Sequence, residues 1–337
     1  MTSDEAGDFS RIPILDVSAL YGNDRAAVER TAATLRGYLE TVGFLYVVGH
    51  TVPRADVEAV REQSKRFFAL PEEQKLALKI DRNFRGYLPF AGSTIVTSSV
   101  ATVSKPNQSE SIFFMHEVDA NAPKALEGRP LQGPNQWPDD TTLPEFRPTI
   151  ERYVAGMSTL ARKMVGAIAL SLGLPENSLD RYFEDPTTFL RLLHYPTQAA
   201  EEGLFGSAPH TDYGFITLLA QDDVGGLEVK NKAGEWVPAP PIPDAFVMNV
   251  GDILARWSND QFVSTPHRVI NRSGRERYSQ PFFFDPSMEE TIEALPVCVP
   301  EGTSPKYAPV LYGDYLMERI DKNYHYRKKQ AAEMARA

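Results

Sequence analysis

A single cysteine, Cys298, in 337 residues leaves no partner for an internal disulfide, which fits a chain kept in a reducing compartment. Its setting, Pro296-Val297-Cys298-Val299-Pro300, reads as that of a small packed residue rather than a reactive thiol, because free cysteine is among the residues most often buried. No stretch reaches the ~18 uninterrupted apolar residues of a membrane span. The opening residues, Met1-Thr2-Ser3-Asp4-Glu5-Ala6-Gly7-Asp8, lack the apolar run of a signal peptide. An excess of positive charge is missing too. The formal net charge is −10, which argues against nonspecific binding to nucleic acid or to an anionic membrane. A cytoplasmic location follows as the expectation. Repeats, low-complexity tracts and interdomain linkers are also absent, so nothing divides the chain. A chain of this length buries roughly 75% of its unfolded surface and needs no covalent staples.

What is present is a helix-rich first half and a strand-rich second half. Arg25 to Val42 carries apolar residues at Ala27, Val28, Ala32, Leu35 and Leu39, close to a 3.6-residue period, and Gly43 ends the helix. Phe44 to Val48 reads as a short buried strand. Pro53 to Phe68 reads as a second amphipathic helix, with Pro53 in its first turn and Pro71 as its stop. Residues 82–147 are dense in Gly, Pro, Ser and Asn and read as a long irregular segment of the kind that is usually functional or mobile. Phe146 to Leu172 is the longest helix, closed by Gly173 and Pro175. From Thr188 onward short strands are expected at 188–195, 214–220, 227–230, 236–238, 245–250, 267–271 and 278–284, separated by turn signals such as Gly225-Gly226. Many short strands point to a sandwich or a barrel.

The chemistry gathers around Pro209-His210-Thr211-Asp212-Tyr213-Gly214, which leads into an apolar run. On a strand, residues i and i+2 share a face, so His210 and Asp212 are expected to project together. An imidazole and a carboxylate are two thirds of the facial triad that holds non-haem Fe(II) and leaves coordination positions open. A second histidine, His267, opens another β-prone run at Ser264-Thr265-Pro266-His267-Arg268-Val269-Ile270. Further on, Arg277 and Ser279 share one strand face in Arg277-Tyr278-Ser279-Gln280-Pro281-Phe282-Phe283-Phe284. A guanidinium fork beside a hydroxyl suits a carboxylate.

With these motifs the chain resembles the 2-oxoglutarate-dependent Fe(II) dioxygenases of the isopenicillin N synthase type, and the likeness covers most of its length. Ile12-Pro13-Ile14-Leu15-Asp16, Val42-Gly43-Phe44-Leu45-Tyr46, Phe67-Phe68-Ala69-Leu70-Pro71 and Arg85-Gly86-Tyr87 are similar to that family's first half. Gln221-Asp222-Asp223-Val224-Gly225-Gly226-Leu227, Val250-Gly251-Asp252 and Tyr312-Gly313-Asp314-Tyr315 are similar to its second. The resemblance implies a mixed α/β fold with a mainly β core, a double-stranded β-helix or jelly roll with flanking helices. Residues 1–10 read as a disordered tail, and the resemblance implies 11–337 as a single catalytic domain. Within that domain, 11–147 would form the N-terminal and substrate-loop region, and 148–337 would hold the long helix, the jelly roll and the C-terminal helix. Fe(II) on His210, Asp212 and His267 is implied, with 2-oxoglutarate and O2 as co-substrates and the distal carboxylate of 2-oxoglutarate on Arg277 and Ser279. The implied reaction oxidises, most simply hydroxylates, a small molecule and releases succinate and CO2.

Other polar residues sort by face. In Leu190-Arg191-Leu192-Leu193-His194-Tyr195-Pro196, alternation groups Arg191, Leu193 and Tyr195 and sets His194 on the opposite side. The first group is expected to line the cavity, with Tyr195 on the co-substrate. Many family members carry Asn-x-Tyr here; this chain has Leu193 where that Asn would be, which weakens the transfer of the motif. Arg191, Tyr213 and Phe282 are candidates for the substrate pocket. His50, His116 and His325 are expected to be structural. Three alternatives share the motifs: an isopenicillin N synthase-like oxidase that uses no 2-oxoglutarate, an enzyme of the bacterial ethylene-forming type, and a barrel that binds without turnover.

Overall fold

The computed structural model describes residues 8–96, 98, 101–197, 203–324 and 327. The first seven residues of the expected tail and His325 lie outside the described residues. In chain order the elements of the first half are β1 (Ile14–Asp16), α1 (Arg25–Thr41), β2 (Phe44–Val48), α2 (Arg54–Phe68), α3 (Glu72–Leu76), β3 (Gly86–Leu88), β4 (Glu110–Met115), α4 (Pro123–Leu126) and α5 (Phe146–Ser171). The second half holds β5 (Thr187–Tyr195), β6 (Ser207–His210), β7 (Ile216–Gln221), β8 (Leu227–Lys230), β9 (Trp236–Pro238), β10 (Phe246–Val250), α6 (Asp252–Trp257), β11 (His267–Val269), β12 (Arg277–Asp285), β13 (Thr291–Ile292), β14 (Val310–Leu311) and α7 (Tyr312–Asn323).

Local chemistry sets the helix ends. Asp24 caps α1 by accepting from the Ala27 amide at 3.2 Å, as a short acidic side chain does at an N-cap. The helix buries Val28, Ala32, Leu35 and Leu39, the stripe its period predicts. Gly43 then takes a positive φ of 67°, and a side chain there would collide with the Val263 carbonyl. Pro53 sits at the N-cap of α2 in an extended conformation rather than inside its first turn. The long helix α5 begins at Phe146 as expected, and Gly173 follows its end with φ at 78°.

Eight strands form one sheet in the order β1-β2-β10-β7-β12-β5-β4-β3, and four form a second in the order β6-β11-β8-β9. Every pair is antiparallel except β1 with β2. Each sheet has two apolar faces to cover, or one to cover and one to wet. The large sheet buries its outer face under α1, α2 and α5, where Leu35, Phe67, Tyr153, Leu160 and Met164 meet Leu192, Leu218 and Phe282. Its inner face meets the small sheet through a second cluster in which Phe44, Tyr46, Leu193, Tyr195 and Val247 pack on Leu227, Val229 and Val269. Phe9 packs on this cluster as well, and its carbonyl accepts from Asn231.

The structure corrects the reading of residues 82–147 as irregular throughout. That segment contains β3, β4 and α4, and all six residues of β4 are buried. β4 was masked by Glu110 at its head, an acid inside the fold. Its carboxylate accepts from Lys75 Nζ at 2.8 Å, Tyr87 OH at 2.5 Å and His194 Nδ1 at 2.8 Å. A buried charge is tolerated when its lone pairs are filled in this way.

Candidate metal centre

His210 ends β6, and His267 begins β11 directly opposite it in the ladder. Asp212 is not on a strand at all. It lies two residues past β6, in the loop that leads to β7, so the alternation expected to align His210 with Asp212 is not what does so. That loop is pinned from three sides. The Asp212 carbonyl accepts from the Asp252 amide at 2.7 Å. The Asp212 Oδ2 accepts from Thr217 Oγ1 at 2.6 Å and from Asn249 Nδ2 at 2.7 Å. A side chain on Gly214 would strike the Asp285 carboxylate, and one on Gly251 would strike the Gly214 carbonyl.

These constraints leave Asp212 Oδ1 pointing at both imidazoles, 3.7 Å from His210 Nε2 and 3.8 Å from His267 Nε2. One ligand atom from each residue lies within 4.8 Å of the other two. His210 Nδ1 donates to the Ala208 carbonyl at 2.7 Å, and His267 Nδ1 faces the Thr265 carbonyl at 3.3 Å. Both second nitrogens are thus spent on the backbone, which orients Nε2 as a metal ligand is normally oriented. Burial, with His267 beside it, pushes His210 down to about 4, so its ring is neutral at pH 7. Burial alone would raise Asp212, but the two imidazoles and its two hydrogen bonds hold it below the usual carboxylate value. Two imidazoles and one carboxylate on one side of a cavity are the donor set of non-haem Fe(II). No other cluster of this kind occurs among the described residues.

Beyond the triad, between the two sheets, lies a cavity of about 70 Å3. Arg277, fully buried, closes its far end. Its Nε donates to the Gly225 carbonyl at 2.5 Å, its Nη2 reaches Gln221 at 3.4 Å, and its guanidinium carbon lies 4.7 Å from the centre of the Tyr195 ring. Its Nη1 is buried without a partner. Ser279 Oγ sits one register step away, 3.5 Å from Tyr195 OH. A buried guanidinium with an unmet donor and, among the described residues, no carboxylate paired with it is costly, and an anionic group in this cavity would relieve the cost. The Gly225-Gly226 turn makes the arrangement feasible, with φ of 80° and 91° bringing the Gly225 carbonyl to Arg277.

A second cavity, of about 110 Å3, opens on the other side of the triad and shares Asn107, Arg191, Ser207, His210, Asp212 and Phe283 with the first. Arg191 lines it and Tyr195 lines the first, on the face of β5 that strand alternation groups them on, and Tyr213 lines the second from the loop after β6. His194 sits on the opposite face of β5, hydrogen-bonded to Glu110 and stacked on Tyr278. Phe282 is a correction. It points to the outer face and packs under the helices, fully buried, while its neighbour Phe283 lines both cavities. The two alternate along β12, and the inward side is the one Arg277 and Ser279 occupy. Sequence reasoning also missed Thr217 and Asn249, the groups that aim Asp212. Asn249 left a signal, as a lone amide inside the apolar run Phe246-Val247-Met248-Asn249-Val250. A larger depression of about 630 Å3 lies between α2 and the 241–246 segment. Its arginines are already engaged, Arg54 with Glu58 and Asp244 and Arg61 with the Gln221 carbonyl.

Cys298 is buried, as expected, and burial pushes its thiol up to about 11. His116 is pushed down to about 4, chiefly by burial, and lies apart from the triad. Among the described residues no helix is long and apolar enough to cross a membrane.

Comparison with known proteins gives two family matches. Residues 186–286 match the model of the 2OG-Fe(II) oxygenase superfamily, and residues 12–140 match the N-terminal model of non-haem dioxygenases in morphine synthesis. The chain is 38% identical to the 2-oxoglutarate-Fe(II) type oxidoreductase hxnY of Emericella nidulans, covering 96% of this chain and 95% of the relative. It is 35% identical to a homoarginine-6-hydroxylase of Glycine max, covering 95% and 99%. Among solved structures it resembles a full-length Neurospora crassa protein in complex with α-ketoglutarate and thymine, with a TM-score of 0.82, 31% identity and coverage of 92% and 96%.

Proposed function

Because the chain belongs to the 2OG-Fe(II) oxygenase superfamily, we propose that His210, Asp212 and His267 hold its Fe(II) and that Arg277, Ser279 and Tyr195 hold its 2-oxoglutarate. The protein is an Fe(II)- and 2-oxoglutarate-dependent oxidoreductase with a jelly-roll core. The observation that carries the residue assignment is the convergence of the two Nε2 atoms and Asp212 Oδ1 within 4.8 Å. The unmet Nη1 of Arg277 at the far end of the adjoining cavity supports the co-substrate assignment.

In this reading each group has one task. Held by His210, Asp212 and His267, Fe(II) would supply the activation of O2 that couples decarboxylation of 2-oxoglutarate to succinate and CO2 with oxidation of the substrate. Thr217 and Asn249 keep Asp212 in one rotamer, so the carboxylate offers Oδ1 alone. The Ala208 and Thr265 carbonyls hold the imidazole tautomers. Arg277 neutralises the distal carboxylate of 2-oxoglutarate, Ser279 and Tyr195 donate hydroxyls beside it, and the apolar walls Leu219, Leu227 and Val269 exclude water. The reaction on the substrate is a hydroxylation, supported by the hydroxylase names among relatives, and the substrate is a small molecule that enters the second cavity. One catalytic domain spanning residues 11–337 belongs to the same proposal, supported by strands from both halves sharing one sheet. So does a cytoplasmic location, supported by the single, buried cysteine.

Succinate formation tests the reading. Iron-loaded protein given 2-oxoglutarate and O2 is expected to form succinate slowly even without substrate, and Asp212→Ala to abolish it. Wild-type levels of succinate from Asp212→Ala would remove the triad from the account.

A further inference from the structure

The second cavity contains a cation, Arg191, with no counter-ion among the described residues. Arg191 projects from β5 between the two cavities. Its guanidinium carbon lies 4.6 Å from the centre of the Phe113 ring, a cation–π contact. Its Nε is buried without a partner, and the guanidinium pairs with no carboxylate among the described residues. Two acids line the same cavity, and both are committed. Asp212 belongs to the triad, and Asp285 accepts from the Phe215 amide at 2.6 Å.

The walls around Arg191 carry aromatic rings, with the polar Asn107, Ser207 and Thr211 and the aliphatic Leu316 and Ile320 between them. Phe84 lies 4.7 Å from Phe113 and 4.7 Å from Tyr324, and Phe189 lies 6.3 Å from Phe283, centre to centre. Such walls favour a flat unsaturated ring over a flexible polar chain, and about 110 Å3 admits a compact one.

Charge balance points the same way. With iron and 2-oxoglutarate bound as proposed above, the two positive charges of the metal, the Asp212 carboxylate, the two negative charges of 2-oxoglutarate and the Arg277 guanidinium cancel. Arg191 stands outside that sum, as does the Asp285 carboxyl, which burial raises to about 7 and which faces the Phe215 amide. Resting on that reading of the site, we propose that the substrate is a compact aromatic carboxylate whose carboxylate is received by Arg191 and whose ring lies among Phe84, Phe113, Phe189 and Phe283. Guanidinium and carboxylate match as a bidentate pair, and in a site walled by rings their attraction is screened little. Arg191 is then a specificity residue, separate from the Arg277 end that receives 2-oxoglutarate.

Calorimetry on the anaerobic Fe(II)·2-oxoglutarate complex tests this, with benzoate, phenylacetate, benzamide, cyclohexanecarboxylate and thymine as probes. At least one of the two ring acids is expected to bind about tenfold or more tighter than the amide, the saturated acid and thymine. Arg191→Gln is expected to weaken that acid by about 30-fold or more, the scale of truncating one partner of a buried charge pair, and Arg191→Lys to recover part of the loss. Uptake of 2-oxoglutarate, measured first on each protein, is expected to stay within about threefold and doubles as the check on folding. Benzamide or thymine binding as tightly as the acids would overturn the charge assignment. An acid that binds Arg191→Gln unchanged, or a loss confined to 2-oxoglutarate, would overturn the role of Arg191. Failure of the wild type to take up 2-oxoglutarate strikes the preceding functional reading instead, and is seen before any acid is added.

Discussion

Replacing Glu110 by glutamine should destabilise the protein by roughly 3 kcal/mol while leaving its 2-oxoglutarate affinity almost unchanged. Glu110 lies on the side of the sheet away from the cavities and ties Lys75, Tyr87 and His194 together. His194 in turn stacks on Tyr278, 4.8 Å away, its register partner on β12. The network therefore clamps from behind the two strands that present Tyr195, Arg277 and Ser279 to the cavity. Burial alone would raise the carboxyl, but hydrogen bonds from His194, Lys75 and Tyr87 outweigh it and hold Glu110 at about 2 against an ordinary 4.5. At about 1.4 kcal/mol per pKa unit this depression corresponds to roughly 3 kcal/mol, near the low end of the cost of breaking a buried pair. An unfolding entropy of ~2.1 cal/mol/K per residue gives about 0.7 kcal/mol/K for this chain, so Tm should fall by ~4 °C. Because folding lowers this pKa, the contribution is fully present above the unfolded value and is lost as pH falls through about 2. The gap between wild type and Glu110→Gln in denaturant midpoints should thus be full at pH 7 and shrink below about pH 4.5. Equal stability at pH 7, or a gap that does not narrow on acidification, would refute the reasoning.

Three further outcomes follow from the site. Arg277→Ala should raise the Kd for 2-oxoglutarate by about 30-fold or more with iron binding retained, since it removes the buried partner of the distal carboxylate; calorimetry against 2-oxoglutarate reads this. Asn249→Ala should weaken Fe(II) binding about 10- to 100-fold, the usual effect of losing a group that orients a metal ligand, and an unchanged metal affinity would show that Thr217 suffices alone. Gly214→Ala should lower both Tm and metal affinity, because its methyl group meets the Asp285 carboxylate; a well-folded variant with full iron occupancy would contradict that.

The sequence carried these conclusions unevenly, for physical reasons. His210 and His267 announce themselves because each stands at the mouth of an apolar run, where an imidazole has no reason to be unless it faces a cavity. The face of Arg191 and Tyr195 was legible because a two-residue period survives in β5 over nine residues. The same period misled at Asp212, where backbone contacts from Asp252 and the two glycines replace a strand in aligning the ligands. It decided nothing at Phe282 and Phe283, since both faces of β12 are apolar and only the tertiary structure says which is inward. β4 stayed hidden because its recognition depends on Lys75, Tyr87 and His194 arriving to satisfy Glu110, and these come from far along the chain.

The most direct test of the account is an anaerobic Fe(II) titration with and without 2-oxoglutarate, following the weak metal-to-ligand charge-transfer band in the visible on wild type, Asp212→Ala and Arg277→Ala. The account predicts a band that needs both iron and 2-oxoglutarate, is absent in Asp212→Ala, and in Arg277→Ala appears only at much higher 2-oxoglutarate. Iron binding without such a band in the wild type, or a full band in Asp212→Ala, would contradict it.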